Sequence, residues 1–277
     1  MTRLEALRKL KGSLQALGIE DAEAEARHAM ASLLDCEIAE LFMRGDQTLE
    51  EDVWQRLEAV VKRRSTGEPL AYILEERWFM GLRFWVTPAV LIPRQDTELL
   101  AELAIERIRS RQLSEVLDLC TGSGCLAICL AHYTGAQVVA SDISEEALAV
   151  AQKNARLHGA NIRFVASDLF QKIPGRFSLI TANPPYIRED EYAGLMREVR
   201  DFEPDLALLA GKDGLDFYRR LAREAGAHLL PGGELLLEIG CTQGQAVSSL
   251  LKEAGFSQIE VYPDLAGKER VVSAVMK

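Results

Sequence analysis

The sequence predicts an α/β fold in which a mainly parallel sheet follows a small helical bundle and a β-hairpin linker. Residues 1–67 have the apolar spacing of amphipathic helices. The stretch AYILEERWFMGLRFWV is rich in aromatic and branched residues around Met80-Gly81, which indicates a β-hairpin. From Ser114 onward, apolar strands alternate with helical segments, which is typical of a parallel sheet. We therefore expect three regions, residues 1–67, 68–93 and 94–277.

Composition and charge exclude several classes of protein. The chain has 277 residues, 48% hydrophobic and 27% charged, enough to bury a sizeable core. Its net charge of −10 opposes a broad nucleic-acid-binding surface, which needs a positive field. No apolar run approaches the roughly 20 residues that a membrane span needs, and the N-terminus lacks the apolar core of a signal peptide. We expect no membrane segment and no direct nucleic-acid binding.

The five cysteines favour reduced thiols and a cytoplasmic location, because their number is odd and no small disulfide framework surrounds them. Three of them cluster at Cys120, Cys125 and Cys129, which raises the question of a metal site. No CxxC pair or histidine at ligand spacing accompanies them, so burial as small apolar side chains is the better interpretation. We predict no metal.

The N-terminal region predicts four helices. The first has Leu4, Leu7 and further leucines on one face and ends near Gly18. Asp21 is placed to cap the second, EIAELFM forms a short third, and Thr48 with Glu51 has the spacing of a capping box for the fourth. No residue of this bundle is of a catalytic type in a catalytic pattern. Docking of a partner and a purely structural role both remain open.

The α/β region contains seven predicted strands. A helix starting near Asp96 or Thr97 precedes them. PGG is predicted to form a turn before the fifth strand, and a loop separates the last two strands, which indicates an antiparallel closing hairpin. The strands in chain order are EVLDLC, QVVASD, IRFVASD, FSLITAN, ELLLEIG, SQIEVY and VVSAVM.

The first strand leads into a glycine motif that is suited to a nucleotide-like ligand. Residues 122–127 match G-x-G-x-x-[GA] between a strand and a helix, where glycines allow close approach and the helix start offers free amides. Asp142 ends the second strand, where a carboxylate can hold ribose hydroxyls, although helix capping is an alternative. Asp168 ends the third strand and is placed to accept from an adenine amino group, with Leu169 or Phe170 over the ring; a turn aspartate is the alternative.

The fourth strand ends in Asn183-Pro-Pro-Tyr186, a stiff loop that accepts hydrogen bonds. The Asn183 side-chain oxygen and the Pro184 carbonyl can receive both hydrogens of a planar NH₂ group, and Tyr186 can stack on its plane. This arrangement suits methyl transfer to an amino or amide nitrogen from a sulfonium donor. It does not suit a dehydrogenase, which needs a proton-shuttling side chain near the nicotinamide.

These motifs together give a specific resemblance. The chain resembles the peptide chain release factor glutamine methyltransferases, the PrmC/HemK family of class I methyltransferases. The resemblance extends over nearly the whole chain and rests on the blocks GEPLAYIL, VTPAVLIPRQDTELL, VLDLCTGSG, NPPYI, FEPDLAL, GKDGLDFYRRL, LLLEIG and DLAGKERVV.

The resemblance implies a seven-stranded Rossmann-like sheet that binds S-adenosylmethionine, an N-terminal substrate-docking domain, and methylation of the glutamine in the Gly-Gly-Gln motif of class 1 release factors, a role in translation termination. By matching position, the catalytic residues would be Asn183, Pro184 and Tyr186. Substrate would be held by the same residues together with Pro185. The cofactor would be bound by Cys120, Thr121, Gly122, Ser123, Gly124, Asp142, Asp168, Leu169 and Asn183.

Two residues depart from the family pattern, and two other functions remain open. Gln95 stands where the family commonly has proline, and Cys120 where its motif usually opens with glycine. An adenine amino-group methyltransferase acting on DNA or RNA would use the same NPPY geometry, although the net charge of −10 opposes it. A non-catalytic binding module with this fold is opposed by the intact NPPY and Asp142.

Overall fold

The structure, a computed structural model, describes all residues from Met1 to Lys277. The chain divides into two compact units. The first comprises Met1–Glu76 and the separate segment Arg197–Phe202, and the second comprises Arg77–Met196 and Glu203–Lys277. No helix is both long and apolar enough to span a membrane.

The first unit is helical, as the sequence predicts. Its core is formed by apolar side chains spaced three and four residues apart, among them the fully buried Leu10, Leu14, Met30 and Leu57. In chain order its helices are α1 (Arg3–Ala16), α2 (Ala22–Leu33), α3 (Ile38–Met43), α4 (Glu51–Arg64) and α5 (Leu70–Leu74), and the segment 197–202 adds α10 (Arg197–Arg200).

The predicted capping box at Thr48 and Glu51 is wrong. Helix α4 begins at Glu51 after Glu50, which makes no side-chain cap. Thr48 instead forms an antiparallel bridge with Thr2, and this extended backbone removes it from the cap position. The capping box of this unit lies at Thr2, whose hydroxyl accepts from the Glu5 amide while the Glu5 carboxylate accepts from the Thr2 amide.

A partly buried ion pair links two helices of this unit. Arg64, at the end of α4, is 9% exposed and donates to both carboxylate oxygens of Glu25 on α2 at 2.9 and 2.8 Å. It also donates to the Glu68 carbonyl at 2.9 Å and lies 3.2 Å from the Glu198 carboxylate. A bidentate pair with little access to water is screened weakly, so one guanidinium holds three chain segments together.

The linker hairpin consists of β1 (Glu76–Phe79) and β2 (Leu82–Trp85). Met80 and Gly81 both have left-handed φ values, 49° and 75°, as a two-residue hairpin turn of the type I′ class requires. The prediction that the strand pattern begins at AYIL is wrong, because Leu70–Leu74 forms α5. Pro69 is the N-cap of that helix, and Tyr72 and Ile73 bury their side chains from it.

The second unit contains a seven-stranded sheet in the order β5-β4-β3-β6-β7-β9-β8, which confirms the predicted fold class. The strands are β3 (Glu115–Leu119), β4 (Gln137–Asp142), β5 (Ile162–Ala166), β6 (Phe177–Ala182), β7 (Leu229–Glu238), β8 (Ser257–Pro263) and β9 (Glu269–Val275). All neighbours pair in parallel except at β9, which is antiparallel to both β7 and β8 and forms the predicted closing hairpin.

Helices cover both faces of this sheet. Successive strand residues point to opposite faces, so Val116 packs with α6 (Thr97–Arg111) and α7 (Cys125–Thr134) while Leu117 packs with α11 (Asp216–Ala225) and α12 (Gly244–Glu253). The helices of the second unit are α6 (Thr97–Arg111), α7 (Cys125–Thr134), α8 (Glu145–Leu157), α9 (Glu189–Tyr192), α11 (Asp216–Ala225) and α12 (Gly244–Glu253).

The predicted PGG turn is instead part of a strand. Strand β7 runs continuously from Leu229 to Glu238, and its register against β6 shifts between Phe177 and Leu179. Gly232 has φ 74°, and a Cβ added at Gly233 would meet the Leu230 carbonyl oxygen at 2.9 Å. The two glycines therefore produce a bulge that bends the strand without ending it.

We expect Arg64→Ala to lower the free energy of unfolding by about 2–4 kcal/mol, because it leaves the half-buried Glu25 carboxylate without its bidentate partner. Arg44→Ala is the matched control, because Arg44, which directly follows α3, forms an exposed ion pair with Glu40 of that helix. The control should cost less than about 1 kcal/mol. Urea unfolding followed by circular dichroism measures both. Equal effects of the two substitutions would show that the buried pair has no special weight.

Candidate active site

A cavity of about 390 Å³ lies at the carboxyl ends of β3, β4, β6 and the residues that follow β5. In open α/β sheets this edge is where ligands bind. The cavity is lined by the segments 120–123, 142–144 and 167–169, by Asn183 and Pro185, and by the loop residues 88–91, 93–94, 204 and 206–207.

The turn after β3 is built around two glycines. Gly122 and Gly124 have φ values of 54° and 79°, and a Cβ added at Gly124 would lie 3.0 Å from the Ala151 side chain on α8. The Thr121 amide donates to the Ser141 carbonyl at 3.0 Å, which ties the turn to β4. Glycine at these positions lets the backbone turn sharply beside the cavity.

A buried carboxyl group holds this turn through a hydrogen bond to Thr121. Asp118 on β3 is 1% exposed and accepts from the Thr121 hydroxyl at 2.6 Å and from the Thr181 hydroxyl at 2.9 Å. Burial raises the pKa of Asp118 to about 7, although the two hydroxyl hydrogen bonds oppose this shift. Asp118 also lines the cavity. Its role is not predictable from the sequence, because a single acid inside an apolar strand forms no motif.

Cys120 adopts a left-handed backbone with φ 55° and lines the cavity. This conformation costs a non-glycine residue about 1 kcal/mol, which explains why the related motif usually opens with glycine. Burial and the nearby carboxylates of Asp142 and Asp118 raise the pKa of the Cys120 thiol, so it stays neutral. The other departure, Gln95, is exposed at the start of α6.

Asp142 lies at the end of β4 and points its carboxylate to the glycine turn. Its Oδ2 accepts from the Gly122 amide at 2.9 Å, and its Oδ1 accepts from the Ser144 amide at 3.0 Å. Burial raises the pKa of Asp142, whereas these backbone hydrogen bonds act to lower it. The helix-capping alternative does not hold, because the Ser144 hydroxyl caps α8 by accepting from the Ala147 amide.

Asp168 and Leu169 form the part of the wall that follows β5. Asp168 is paired with Arg220 of α11 at 2.7 Å and accepts from the Gln171 side chain at 3.0 Å. Leu169 is buried and lines the cavity. Phe170, the other candidate to cover a ring, stacks on His228 at a centroid distance of 4.7 Å and is not among the residues that line the cavity.

The NPPY loop contributes Asn183 and Pro185 to the cavity, whereas Pro184 and Tyr186 are not among its lining residues. Asn183 is half-buried, and its Nδ2 donates to the Thr97 hydroxyl oxygen at 3.2 Å. The Tyr186 side chain packs against the core on the α11 face, where burial raises its pKa to about 12. Stacking of Tyr186 on a substrate group stays a prediction.

Gln243 anchors the NPPY loop. Its Nε2 donates to the Tyr186 carbonyl at 3.2 Å and to the Gly214 carbonyl at 3.1 Å, and its Oε1 accepts from the Gly240 amide at 2.9 Å. One side chain therefore fixes three loops. No sequence pattern points to this role, because a lone glutamine after a strand has no pattern of its own.

A second anchor holds the opposite wall. Glu203, with a side chain 1% exposed, accepts from the Ile92 amide at 3.2 Å and from the Arg94 guanidinium. These contacts join the loop before α6 to the loop that supplies Pro204, Leu206 and Ala207 to the cavity. Both loops lie in sequence blocks that carry the family resemblance, VTPAVLIPRQDTELL and FEPDLAL.

The site offers hydrogen-bond acceptors beside a turn of glycine backbone, and it has no histidine or lysine in its lining. Such acceptors can recognise groups that donate hydrogen bonds, such as hydroxyl and NH₂ groups. It is chemically suited to orient an uncharged nitrogen.

Two family models match the chain. Residues 5–74 match the PrmC N-terminal domain, and residues 94–198 match the methyltransferase small domain. Among solved structures, a ribosomal protein L11 methylase from Lactobacillus delbrueckii subsp. bulgaricus is similar with a TM-score of 0.52 and 28% identity, over 69% of this chain and 84% of that chain. The 16S rRNA N2 G1207 methyltransferase of T. Thermophilus has a TM-score of 0.54 and 22% identity, over 73% and 50%, and shares the fold.

Curated relatives match over almost their whole length. The release factor glutamine methyltransferase of Cereibacter sphaeroides is 44% identical over 99% of this chain and 98% of its own. That of Geobacter sulfurreducens is 40% identical over 95% of this chain and 92% of its own. With both the helical region and the sheet covered at this identity, the chain belongs to the release factor glutamine methyltransferase family.

Proposed function

We propose that the protein transfers a methyl group from S-adenosylmethionine to the side-chain amide nitrogen of the glutamine in the Gly-Gly-Gln motif of class 1 release factors. The observation that carries this proposal is the position of Asn183, a side-chain acceptor on the wall of the same cavity as the glycine turn and Asp142. The relatives in this family are named for the same reaction.

The residues of the cavity fit the cofactor. The Asp142 carboxylate keeps lone pairs for ribose hydroxyls after accepting its two backbone hydrogen bonds. Leu169 offers an apolar surface for a ring, and Asp168 keeps acceptor capacity beside Arg220. At Gly122 no atom lies within 4 Å of where a Cβ would be, so the backbone is open to close approach. S-adenosylmethionine, when bound, supplies an electrophilic methyl group on a sulfonium.

The chain's own part in the reaction is orientation. An amide nitrogen is a poor nucleophile because its lone pair is delocalised into the carbonyl. The Asn183 Oδ1 and the Pro184 carbonyl each accept one hydrogen of the substrate NH₂, which fixes the nitrogen and favours electron density on it as the methyl arrives. Pro184 and Pro185 stiffen the loop, and Gln243 holds its far end. No protein base is required before the carbon–nitrogen bond forms. The carbon–sulfur bond of the sulfonium would break in the same step to leave a neutral thioether, and the methylated nitrogen would then release one proton to water.

The N-terminal region is proposed to dock the release factor. We retain residues 1–67 as this domain, 68–93 as the linker and 94–277 as the catalytic domain. Helix α3 leaves apolar side chains uncovered, with Ile38 41%, Phe42 49% and Met43 81% exposed. Neighbouring apolar side chains on one short exposed helix favour contact with a protein surface. Because release factors act on ribosomes, we place the enzyme in the cytoplasm.

Parallel incubation with substrates tests this function. The protein and S-adenosylmethionine are incubated with a folded class 1 release factor and, separately, with DNA and RNA, and the products are digested and analysed by mass spectrometry. We expect one methyl group on the glutamine of the Gly-Gly-Gln motif. Methylated adenine with an unmodified glutamine would favour the amino-group methyltransferase of nucleic acids, which the net charge of −10 opposes. No turnover on any substrate would favour a binding module.

We expect Asp142→Ala to weaken S-adenosylmethionine binding by about 1.5–3 kcal/mol, because it removes a charged hydrogen-bond acceptor. Asp142→Asn is measured alongside, because Asp142 also accepts from the Gly122 amide and asparagine keeps an oxygen for that contact. The pair of variants separates loss of the charge from loss of the turn contact. Asp52→Ala, at an exposed residue of α4, is the control. Isothermal titration calorimetry measures the Kd. An unchanged Kd in Asp142→Ala, or tighter binding of NADH than of S-adenosylmethionine by the unsubstituted protein, would contradict the assignment.

Asn183→Ala is expected to lower kcat by about 10²–10³, because one of the two acceptors that orient the substrate nitrogen is lost. The Kd for S-adenosylmethionine should change much less. Asn161→Ala, at an exposed asparagine before β5, serves as the matched control. Single-turnover rates at saturating cofactor measure the effect. A rate within a few-fold of that of the unsubstituted protein would show that another group positions the nitrogen.

The docking proposal predicts a difference between large and small substrates. Phe42→Ser with Met43→Ser should raise KM for a folded release factor about tenfold, because buried aromatic and apolar anchors carry much of the energy of an interface. KM for a short Gly-Gly-Gln peptide should not change, because the peptide reaches only the catalytic cavity. Leu157→Ser, at a residue 56% exposed on α8, is the control. Equal changes in KM for both substrates would contradict the docking role.

A further inference from the structure

A buried carboxyl group lies behind Asn183, outside the cavity. Glu238 is the last residue of β7 and is 2% exposed, and Thr97 is the first residue of α6 and is 4% exposed. The parallel register pairs Ala182 with Leu237, so Asn183 and Glu238 occupy the next position on neighbouring strands. The Glu238 Oε2 has no hydrogen-bond partner in the structure. A buried acid in this position requires an explanation, because an unsatisfied carboxyl group is costly.

Three polar groups form a chain at this point. The Asn183 Nδ2 donates to the Thr97 Oγ1 at 3.2 Å, so this oxygen is used as an acceptor. The Thr97 hydroxyl has one hydrogen left to donate. The buried Glu238 carboxyl is the neighbouring acceptor, and the Thr97 and Asn183 side chains act to lower its pKa. An ionised carboxyl group accepts only, so it requires these neighbours to direct hydrogens inward.

The direction of these hydrogen bonds decides which end of the Asn183 amide faces the cavity. An asparagine amide has an acceptor end and a donor end of nearly equal shape. If Glu238 and Thr97 take the donor end, then the acceptor end, Oδ1, is directed away from them. The proposed reaction requires Oδ1 towards the substrate, because the substrate NH₂ has hydrogens to give. With the amide reversed, two NH₂ groups would face each other and the substrate hydrogen would have no partner.

We propose, building on the function proposed above, that Glu238 and Thr97 are positioning residues that hold the Asn183 amide with Oδ1 towards the substrate nitrogen. Neither residue takes or gives a proton in the methyl transfer. Their contribution is to prevent the reversed amide, which would bind the cofactor normally but orient the substrate poorly.

The charge of Glu238 gives this arrangement a pH dependence. Burial raises the pKa of Glu238 to about 7, and the hydrogen bonds from Thr97 and Asn183 oppose this shift. Below that pH the Glu238 carboxyl is protonated and can itself donate a hydrogen bond, so it no longer requires Thr97 and Asn183 to direct their hydrogens towards it. The charged groups that face Glu238 are Asp96 and Arg270. The other titratable neighbours are Tyr186, Tyr218 and Cys125, whose pKa values are raised by burial, so they stay neutral near pH 7.

The test compares conservative substitutions with matched controls in the full-length protein. Thr97→Val removes the Thr97 hydroxyl and Glu238→Gln removes the Glu238 carboxylate, whereas Thr97→Ser keeps the hydroxyl. Thr134→Val, at the end of α7, controls for loss of a threonine hydroxyl. Glu234→Gln controls for loss of a buried carboxyl on the same strand, because Glu234 is 3% exposed and pairs with Arg107 and Arg111. Calorimetry with S-adenosylmethionine and circular dichroism confirm that each variant is folded.

The kinetic expectation is a loss in kcat without a loss in cofactor affinity. Thr97→Val and Glu238→Gln should lower the single-turnover rate about tenfold or more, up to the loss in Asn183→Ala. Thr97→Ser should stay within about threefold of the unsubstituted protein, and Thr97→Val should cause no further loss when Asn183 is already alanine. Full rates in Thr97→Val and Glu238→Gln, or additive losses with Asn183→Ala, would overturn the proposal.

A second readout does not depend on methyl transfer. The ¹⁵N resonance of the Asn183 side-chain amide is followed across pH in the protein without release factor. We expect a titration centred near pH 7 that disappears in Glu238→Gln and persists in Glu234→Gln. A signal that does not respond to pH, or that titrates equally in Glu238→Gln, would overturn the positioning role even in an active enzyme. The expected titration in a protein that methylates no release factor would instead overturn only the proposed function.

Discussion

The parallel register of β4, β3, β6 and β7 is the constraint on which the site depends. It brings strand ends that are far apart in sequence to one edge of the sheet, so that Cys120, Asp142, Asn183 and Glu238 end neighbouring strands or directly follow them. Each strand is nearly continuous in apolar residues, because helices cover both faces. The polar residues at the strand ends therefore appear where burial by helices ends: Asp142 and Asn183 line the cavity there, and Glu238 lies behind Asn183. Chemistry at this edge follows from the way the sheet is buried.

Loops at this edge are held by polar side chains that are themselves buried or half-buried. Gln243 joins the NPPY loop to the residues around Gly214 and Gly240, and Glu203 joins the two loops of the opposite wall. Asp142 performs a similar task for the glycine turn. Hydrogen bonds of this kind give direction as well as attraction, so the walls of the cavity are fixed in shape by a few side chains. A site that works by orienting an uncharged nitrogen needs that rigidity, because misplacement of about 1 Å is costly in rate.

The sequence predicts the elements of the sheet and the residues at the strand ends, because both depend on local patterns. Alternation of apolar strands with helices gives the fold, and a glycine motif, Asp142 and Asn183 mark the ends of strands. The errors arise where distant contacts override local signals. Thr48 has capping spacing but is held extended by Thr2, AYIL has strand composition but forms a helix after Pro69, and PGG has turn composition but forms a bulge within β7. Thr97, Glu238, Gln243 and Glu203 were not identified, because each acts through a partner that only the tertiary structure supplies.

The first compact unit is not continuous in sequence, and this affects the order in which the chain is completed during synthesis. Arg64 pairs with Glu198, and Gly67 packs against the Arg197 side chain, so the unit includes residues made more than a hundred positions later. When residues 1–76 have left the ribosome, the helices can pack, but this part of their surface is still uncovered. It stays uncovered until the segment 197–202 has emerged, by which time β3 to β6 have been made. Completion of the N-terminal unit is thus coupled to synthesis of most of the sheet, and an N-terminal fragment ending near residue 76 would lack that segment however well its own helices form.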